Sequence, residues 1–195
     1  MIRPLTTALL LAAALPALAQ QTPAQQTPAT SPAYHRVELT HSSGSSLPYT
    51  IEVPDGWELR EDKEYPGLWL GPAGARIPSD PQLVWVRGSR TALANPQDTV
   101  AQIRAGDEKD ASWSASRLEV KEVGGVKGVL VRMDSGEGAQ ARSTLVLKMP
   151  FYSTALDFMA SGPRADFEKM LPVYEQILFS VRPNPSQPKP AAPPK

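Results

Sequence analysis

The sequence predicts an α+β fold, an antiparallel sheet with helices packed on its faces, and three observations carry that expectation. Phe167, Met170, Leu171, Tyr174, Ile177 and Leu178 recur within Gly162–Arg182 at the spacing of a helix with one apolar stripe. The run just before it, Arg142 to Ala160, alternates apolar and polar residues, as a half-buried hairpin should, and so offers that stripe a surface. Along the whole chain the order is strands, one helix, more strands and a final helix, a segregated pattern that gives α+β rather than a parallel sheet.

From the N-terminal side, Tyr34 to Thr40 alternates, with Val37 and Leu39 on one face and Arg36, Glu38 and Thr40 on the other. A turn-rich HSSGSSLP follows, and Tyr49, Ile51 and Val53 then mark a second strand that ends at the tight-turn triplet Pro54-Asp55-Gly56. Trp57 and Leu59 continue the chain to a short third strand, Leu68-Trp69-Leu70. Gly71 to Pro81, small residues and prolines, reads as a loop. Leu83 to Arg87 (LVWVR) is apolar on both faces, the signature of a central, covered strand. Asn95-Pro96-Gln97-Asp98 then starts a helix. Asn serves as N-cap, Pro as the first helical residue and Asp as the first-turn acid, and the helix ends near Gly106.

Arg117 to Val123 and Val126 to Asp134 form strands joined across Gly124-Gly125, a pair able to take the positive φ angles of a two-residue hairpin. Ser135 to Gln140 is the next turn. Leu145, Leu147 and Met149 share a strand face, and Met149-Pro150-Phe151 is expected to turn the chain into the strand carrying Leu156 and Phe158. Pro172 interrupts the last helix, because it has no N–H to donate and crowds the Glu168 carbonyl; a kink is expected there.

Both ends read differently. Met1 to Ala19 has the charged start (Arg3), short apolar stretch and Ala17-Leu18-Ala19 cleavage pattern of a secretory signal peptide. Its apolar run is about half the ~20 residues needed to span hydrocarbon, so no stable membrane insertion is expected after cleavage. Residues 20–33, rich in Gln, Thr and Pro, form an expected disordered spacer, and residues 183–195 an expected proline-rich tail. Between them, residues 34–182 are expected to make one α+β domain, and the protein is expected to be secreted or periplasmic.

Composition excludes several classes of function. There is no cysteine, hence no disulfide, thiol nucleophile or thiolate metal site. Basic and acidic residues balance at 20 each, which argues against nucleic-acid binding, since a binder carries a basic surplus to neutralise phosphates.

Three passages carry a resemblance: YTIEVPDGW (Tyr49–Trp57), LVWVR (Leu83–Arg87) leading into the capped helix, and EKMLPVYEQILFSVRP (Glu168–Pro183). Together they resemble the PsbP/Mog-like superfamily, which includes DcrB-like periplasmic proteins. The resemblance implies an α/β/α sandwich around an antiparallel sheet, acting as a binding or assembly module rather than as an enzyme. It carries no site residue over, because these passages are folding signatures with no chemical motif.

The residues themselves offer little chemistry. His35 and His41, the two histidines, would lie ~20 Å apart on an unbroken strand, too far to share a metal ion. No G-x-S-x-G elbow occurs, and Gly44-Ser45-Ser46 falls in a turn. The runs Glu61-Asp62-Lys63-Glu64 and Asp107-Glu108-Lys109-Asp110 lack calcium-loop spacing and read as solvated. Of four tryptophans, Trp85 reads as core. Trp69, beside the Gly71–Pro81 loop, is the candidate for a stacking platform, with Tyr65 and Arg76 lining a small groove. No catalytic residue, metal ligand or cofactor is expected. The expected role is an exported non-catalytic module acting on an envelope protein. The alternatives are a small-molecule or glycan module at the Trp69 loop, and a weak hydrolase or metal-dependent enzyme.

Overall fold

Alternating side chains build two sheets in the computed structural model, which describes residues 32–89, 93, 95–109 and 112–187. The expected leader, most of the spacer and residues 188–195 of the tail lie outside the described residues. Strands β1 (Tyr34–Thr40) and β2 (Ser46–Pro54) pair antiparallel, Val37 opposite Ile51. The chain then crosses to a larger sheet with β3 (Trp57–Glu61), β4 (Leu68–Pro72) and β5 (Val84–Ser89). Helix α1 (Pro96–Asp107) follows, capped by the Asn95 side chain, which accepts from the Gln97 amide at 3.0 Å. Strands β6 (Trp113–Val123), β7 (Val126–Ser135), β8 (Arg142–Phe151) and β9 (Thr154–Pro163) form a meander. Helix α2 (Arg164–Phe179) and the two-residue β10 (Arg182–Pro183) close the described chain.

The larger sheet has the order β3-β4-β5-β9-β8-β7-β6 and the smaller one β1-β2-β10, all pairs antiparallel. Each strand of the large sheet sends alternate residues to opposite faces. On one face, Leu130, Leu145, Leu147, Phe158 and Ala160 meet Phe167, Tyr174, Ile177 and Leu178 of α2, together with Tyr49, Ile51 and Val53 of β2. Each fully buried large side chain there contributes about 1.5–3 kcal/mol relative to an exposed one. The apolar stripe of α2 therefore faces inward, with the small sheet beside it in the same layer. On the other face, Val129, Val131, Val146 and Ala155 pack with Leu93, Val100 and Ile103, so α1 covers this side. The result is the α/β/α arrangement expected of an α+β chain.

Polar ties fix the layers. Tyr49 donates its hydroxyl to the Pro150 carbonyl at 2.6 Å, and Tyr174 donates to the Pro81 carbonyl. Burial pushes both phenols up to about 12, with the Asp166 charge adding to the effect at Tyr174. Lys148 and Asp157 face each other across β8 and β9, with Lys148 Nζ 2.9 and 3.1 Å from the two carboxylate oxygens. Ser180, at the end of α2, accepts from the Glu52 amide of β2 at 2.7 Å.

Three details depart from the sequence expectations. Pro150 does not turn the chain: β8 runs on through Phe151, and the turn falls at Tyr152, which takes φ 53°. Helix α2, by contrast, continues through Pro172 as one helix, as its unbroken apolar stripe leads one to expect. Trp57–Glu61 is a full strand, paired with β4 from Trp57↔Pro72 to Glu61↔Leu68, where the sequence read only as a continuation. Finally, Pro183 pairs with Tyr49 and the buried Asn184 donates to the Pro48 carbonyl at 2.8 Å. The ordered body thus runs past Arg182 into what reads, by composition, as tail.

Candidate functional site

One end of the molecule gathers two loops and a strand end: the β1–β2 turn at 41–45, the β3–β4 connection at 62–67 and the end of β5. The β1–β2 turn forms because Gly44 takes φ 84° and its amide reaches back to the His41 carbonyl at 2.8 Å. The β3–β4 loop folds on Asp62, whose side chain accepts from the Glu64 and Tyr65 amides at 2.8 and 3.0 Å. It closes at Gly67, which takes φ 134° and lies so close to Trp85 that an added Cβ would sit 2.4 Å from the indole nitrogen.

Two open grooves of about 790 and 800 Å³ flank this segment and share His41, Pro66 and Gly67. The first is lined by β3 residues Leu59, Arg60 and Glu61 with Ser42 and Lys63. The second has an apolar floor of Leu47, Trp85, Phe151 and Leu156, with Tyr65, Glu64 and Arg87 around it. Arg87 lies over the Trp85 ring, 4.3 Å from its centroid, a cation–π contact.

His41, Ser42 and Glu61 converge in the first groove. His41 Nδ1 and the Ser42 hydroxyl each bond a different Glu61 carboxylate oxygen, and the Ser42 amide donates to it at 3.1 Å. The Ser42 hydroxyl, then the His41 bond, then the Ser42 amide hold the Glu61 carboxyl below its ordinary range. Serine, histidine and acid are all present, yet the serine hydroxyl donates to the acid and not to the imidazole. A nucleophilic serine needs a base on its own proton, and here the carboxylate ties the β1–β2 turn to the end of β3. Among the described residues no group of three or more His, Asp or Glu could hold a metal ion.

The three residues singled out from sequence do not line one groove: Trp69 meets Tyr65 only at its backbone, and Arg76 lies apart. Tyr65 is exposed and lines the second groove. Trp69 is only 6% exposed; its indole N–H donates to the Tyr65 carbonyl at 2.9 Å, and its ring stacks on Trp85 at 4.9 Å with 7° between planes. Arg76 follows the other end of β4 and pairs with Asp80 at 3.5 Å. With five residues of β4 between them at about 3.3 Å each, Tyr65 and Arg76 lie at opposite ends of the strand. The tryptophan roles are exchanged: Trp69 is buried, whereas Trp85, read from sequence as core, is half-buried and lines the groove. In the sequence, His41, Glu61 and Arg87 have no site role: His41 reads as unable to chelate with His35, Glu61 as part of a solvated run and Arg87 as the end of a covered strand. The one available signal was that His41 and Glu61 each fall at a strand end.

A second polar cluster joins β6 and β7 to α2. Arg117 contacts Glu119 and Glu175 at 2.8 and 2.7 Å, and Arg132 bonds Glu168 with Asp134 3.7 Å away. Burial would raise the Asp134 carboxyl, but hydrogen bonds from Ser143 and Ser116 and the Arg132 and Arg164 charges outweigh it and hold the group low. With four carboxylates around two arginines, the charges of this cluster are balanced within the fold, although the buried Arg132 Nε has no hydrogen-bond partner among the described residues.

No protein-family model matches the chain, and no curated protein matches it in sequence. Solved structures do match in shape. The cyanobacterial PsbP protein (CyanoP) of Synechocystis sp. PCC 6803, a solution structure, superposes with a TM-score of 0.51 at 13% identity, over 80% of this chain and 96% of that one. LpqN of Mycobacterium tuberculosis, described as involved in cell envelope biogenesis, gives 0.53 at 15% identity, over 78% and 92%. At such identity the likeness is one of fold, and the fold is PsbP-like.

Proposed function

We propose that this protein is an exported, non-catalytic binding or assembly module that engages a protein partner in the cell envelope through its grooved end. The observation that carries the reading is the pair of adjoining open grooves, both with mixed-charge linings and the second with an apolar floor, built on loops held by a rigid sheet. Open, amphipathic surfaces of this kind suit a protein segment better than a small substrate, which is normally enclosed. The hydrogen-bonding of Ser42 to Glu61 rather than to His41 argues against hydrolysis. Burial of Trp69 argues against a stacking platform for glycans at that residue.

Export rests on the leader-like first 19 residues, and the envelope setting is supported by the description of LpqN. Among the described residues no helix is long and apolar enough to cross a membrane. The nearer kinship with DcrB-like and Mog-like proteins belongs to this proposal as well, on the three passages that carry the resemblance.

Photo-crosslinking tests the reading. A crosslinker at Tyr65 or Lys63 should capture one recurrent companion in envelope preparations, and a crosslinker at the exposed Gln102 of α1 should not. Equal capture from both places, or recovery of the protein alone, refutes it.

A further inference from the structure

We propose that the outer edge of β6, at Leu118–Glu122, pairs antiparallel with the same edge of a second copy of this chain, in one register centred on Val120. β6 and β3 are the two edges of the large sheet, so this surface lies on the side away from the grooves.

Among the described residues β6 is laddered to β7 alone. The turn between them says which backbone groups are left over. Gly124 and Gly125 take φ 61° and 76°, so Val123 and Val126 close a two-residue hairpin and exchange both of their hydrogen bonds. Alternation from that rung turns the N–H and C=O of Lys121, Glu119 and Arg117 toward β7, and those of Glu122, Val120 and Leu118 outward. The start of the edge is closed by other means. The ladder shifts between Ala115 and Arg117, and the Asp107 carboxylate of α1 accepts from the Ala115 amide at 3.2 Å. From Leu118 to Val123 the rungs with β7 run without a break, and Leu118 and Val120 are half-buried while Glu122 is exposed.

Charge selects the register. Outward residues must meet outward residues if the new ladder is to form. A two-fold centred on Glu119 or on Lys121 would set that charge against its own copy, and one centred on Leu118 would carry the irregularity at Ala115–Arg117 into the ladder. Centred on Val120, the pairing sets Glu119 opposite the second copy's Lys121 and the reverse, in the closer, non-hydrogen-bonded sites. Both groups have capacity for the bond. Arg117 engages Oε1 of Glu119 alone. Lys121 Nζ lies 4.7 Å from the Phe179 ring centroid, and among the described residues no carboxylate is within ion-pair distance of it. The second copy's Gly124-Gly125 turn, which has no side chains, falls opposite the closed start of the edge. The three outward residues of each copy exchange about six backbone hydrogen bonds across the two-fold. Such a pairing is closed, so it gives a dimer and no filament.

Sedimentation velocity on the full chain, from about 10 μM to 1 mM, reads the association; so short an edge should give a monomer–dimer equilibrium with a Kd on the order of 100 μM. Val120→Pro removes an outward N–H and no rung to β7, and should weaken the dimer about tenfold or more. Lys121→Glu and Glu119→Lys each set like charges across the two-fold, and each alone should weaken it by a similar factor. An equal mixture of those two variants restores opposite charges at every facing position and should recover the parent's association, an outcome that loss of folding in either variant cannot produce. A chain that stays monomeric to about 1 mM overturns the proposal. So does a dimer indifferent to Val120→Pro, a mixture that pairs no better than its components, or growth beyond a dimer.

Discussion

Asp157→Ala should be among the most damaging single substitutions in the sheet, through the lysine it strands. Lys148 and Asp157 sit directly opposite each other on β8 and β9, with side chains 13% and 7% exposed. Ser89 Oγ, 3.4 Å from Lys148 Nζ, is a weak substitute acceptor. Removing one member of such a buried pair leaves an uncompensated charge at a cost of about 3–5 kcal/mol, and the slight exposure of Lys148 places the value near the lower end. Urea unfolding followed by tryptophan fluorescence reads the effect: at a slope of about 2 kcal/mol per molar urea, a loss of ~3 kcal/mol moves the midpoint down by ~1.5 M. The double variant Lys148→Met/Asp157→Leu removes both charges and keeps the volume, so it should recover to within about 1 kcal/mol of the parent. A loss under about 1 kcal/mol for Asp157→Ala, or a double variant no better than the single one, would refute the reasoning.

Four further outcomes follow from the same structure. Phe167→Ala, at 0% exposure on the inner face of α2, should cost about 3–5 kcal/mol by denaturant unfolding. Gly67→Ala forces a Cβ onto the Trp85 indole at a positive φ. It should cost about 2 kcal/mol and raise fluorescence quenching of the half-buried Trp85 indole by acrylamide. Tyr49 and Tyr174 have folded-state values near 12 against an ordinary 10, so their neutral forms favour the fold. Their contribution is full below pH 10 and is lost as pH rises toward 12, and the urea midpoint should fall over that window, less steeply in Tyr49→Phe/Tyr174→Phe. Glu61 has the opposite sign: its carboxyl is depressed, so its contribution is present above about pH 4.5 and is lost as pH falls through the lower folded value. Glu61→Gln should flatten that acid limb and broaden the His41 and Ser42 backbone signals by NMR.

The parts of the fold legible in the sequence are those where a local pattern and a tertiary role coincide. The stripe on α2 needs only a 3.6-residue period, and the Asn95-Pro96 start needs only capping chemistry. Alternation at Leu145, Leu147 and Met149 names a strand and its inner face together. What could not be read was partnership. Nothing local says that Tyr34–Thr40 and Tyr49–Val53 leave the main sheet for one of their own, or that Arg182 and Pro183 return to pair with β2. The tryptophans show the same limit at the site. Trp69 and Trp85 lie opposite each other on neighbouring strands and stack. Which of two stacked rings is covered depends on the loop folded above them, and that loop is fixed by Asp62 and Gly67, residues with no aromatic signal of their own. His41 and Glu61 meet because two separate sheets end side by side, a coincidence of three dimensions that spacing along one strand could not reveal.

The return of the C-terminal end to β2 has a temporal consequence. The first hairpin emerges from the ribosome early, but its third strand, its Ser180 contact at a separation of 128 residues, and the helix that shares its layer are made last. Until then Tyr49, Ile51 and Val53 have no complete shelter. Such distant closure slows folding and leaves a greasy hairpin waiting, so a chain cut short before Ser180 should be a client for chaperones rather than a smaller working protein.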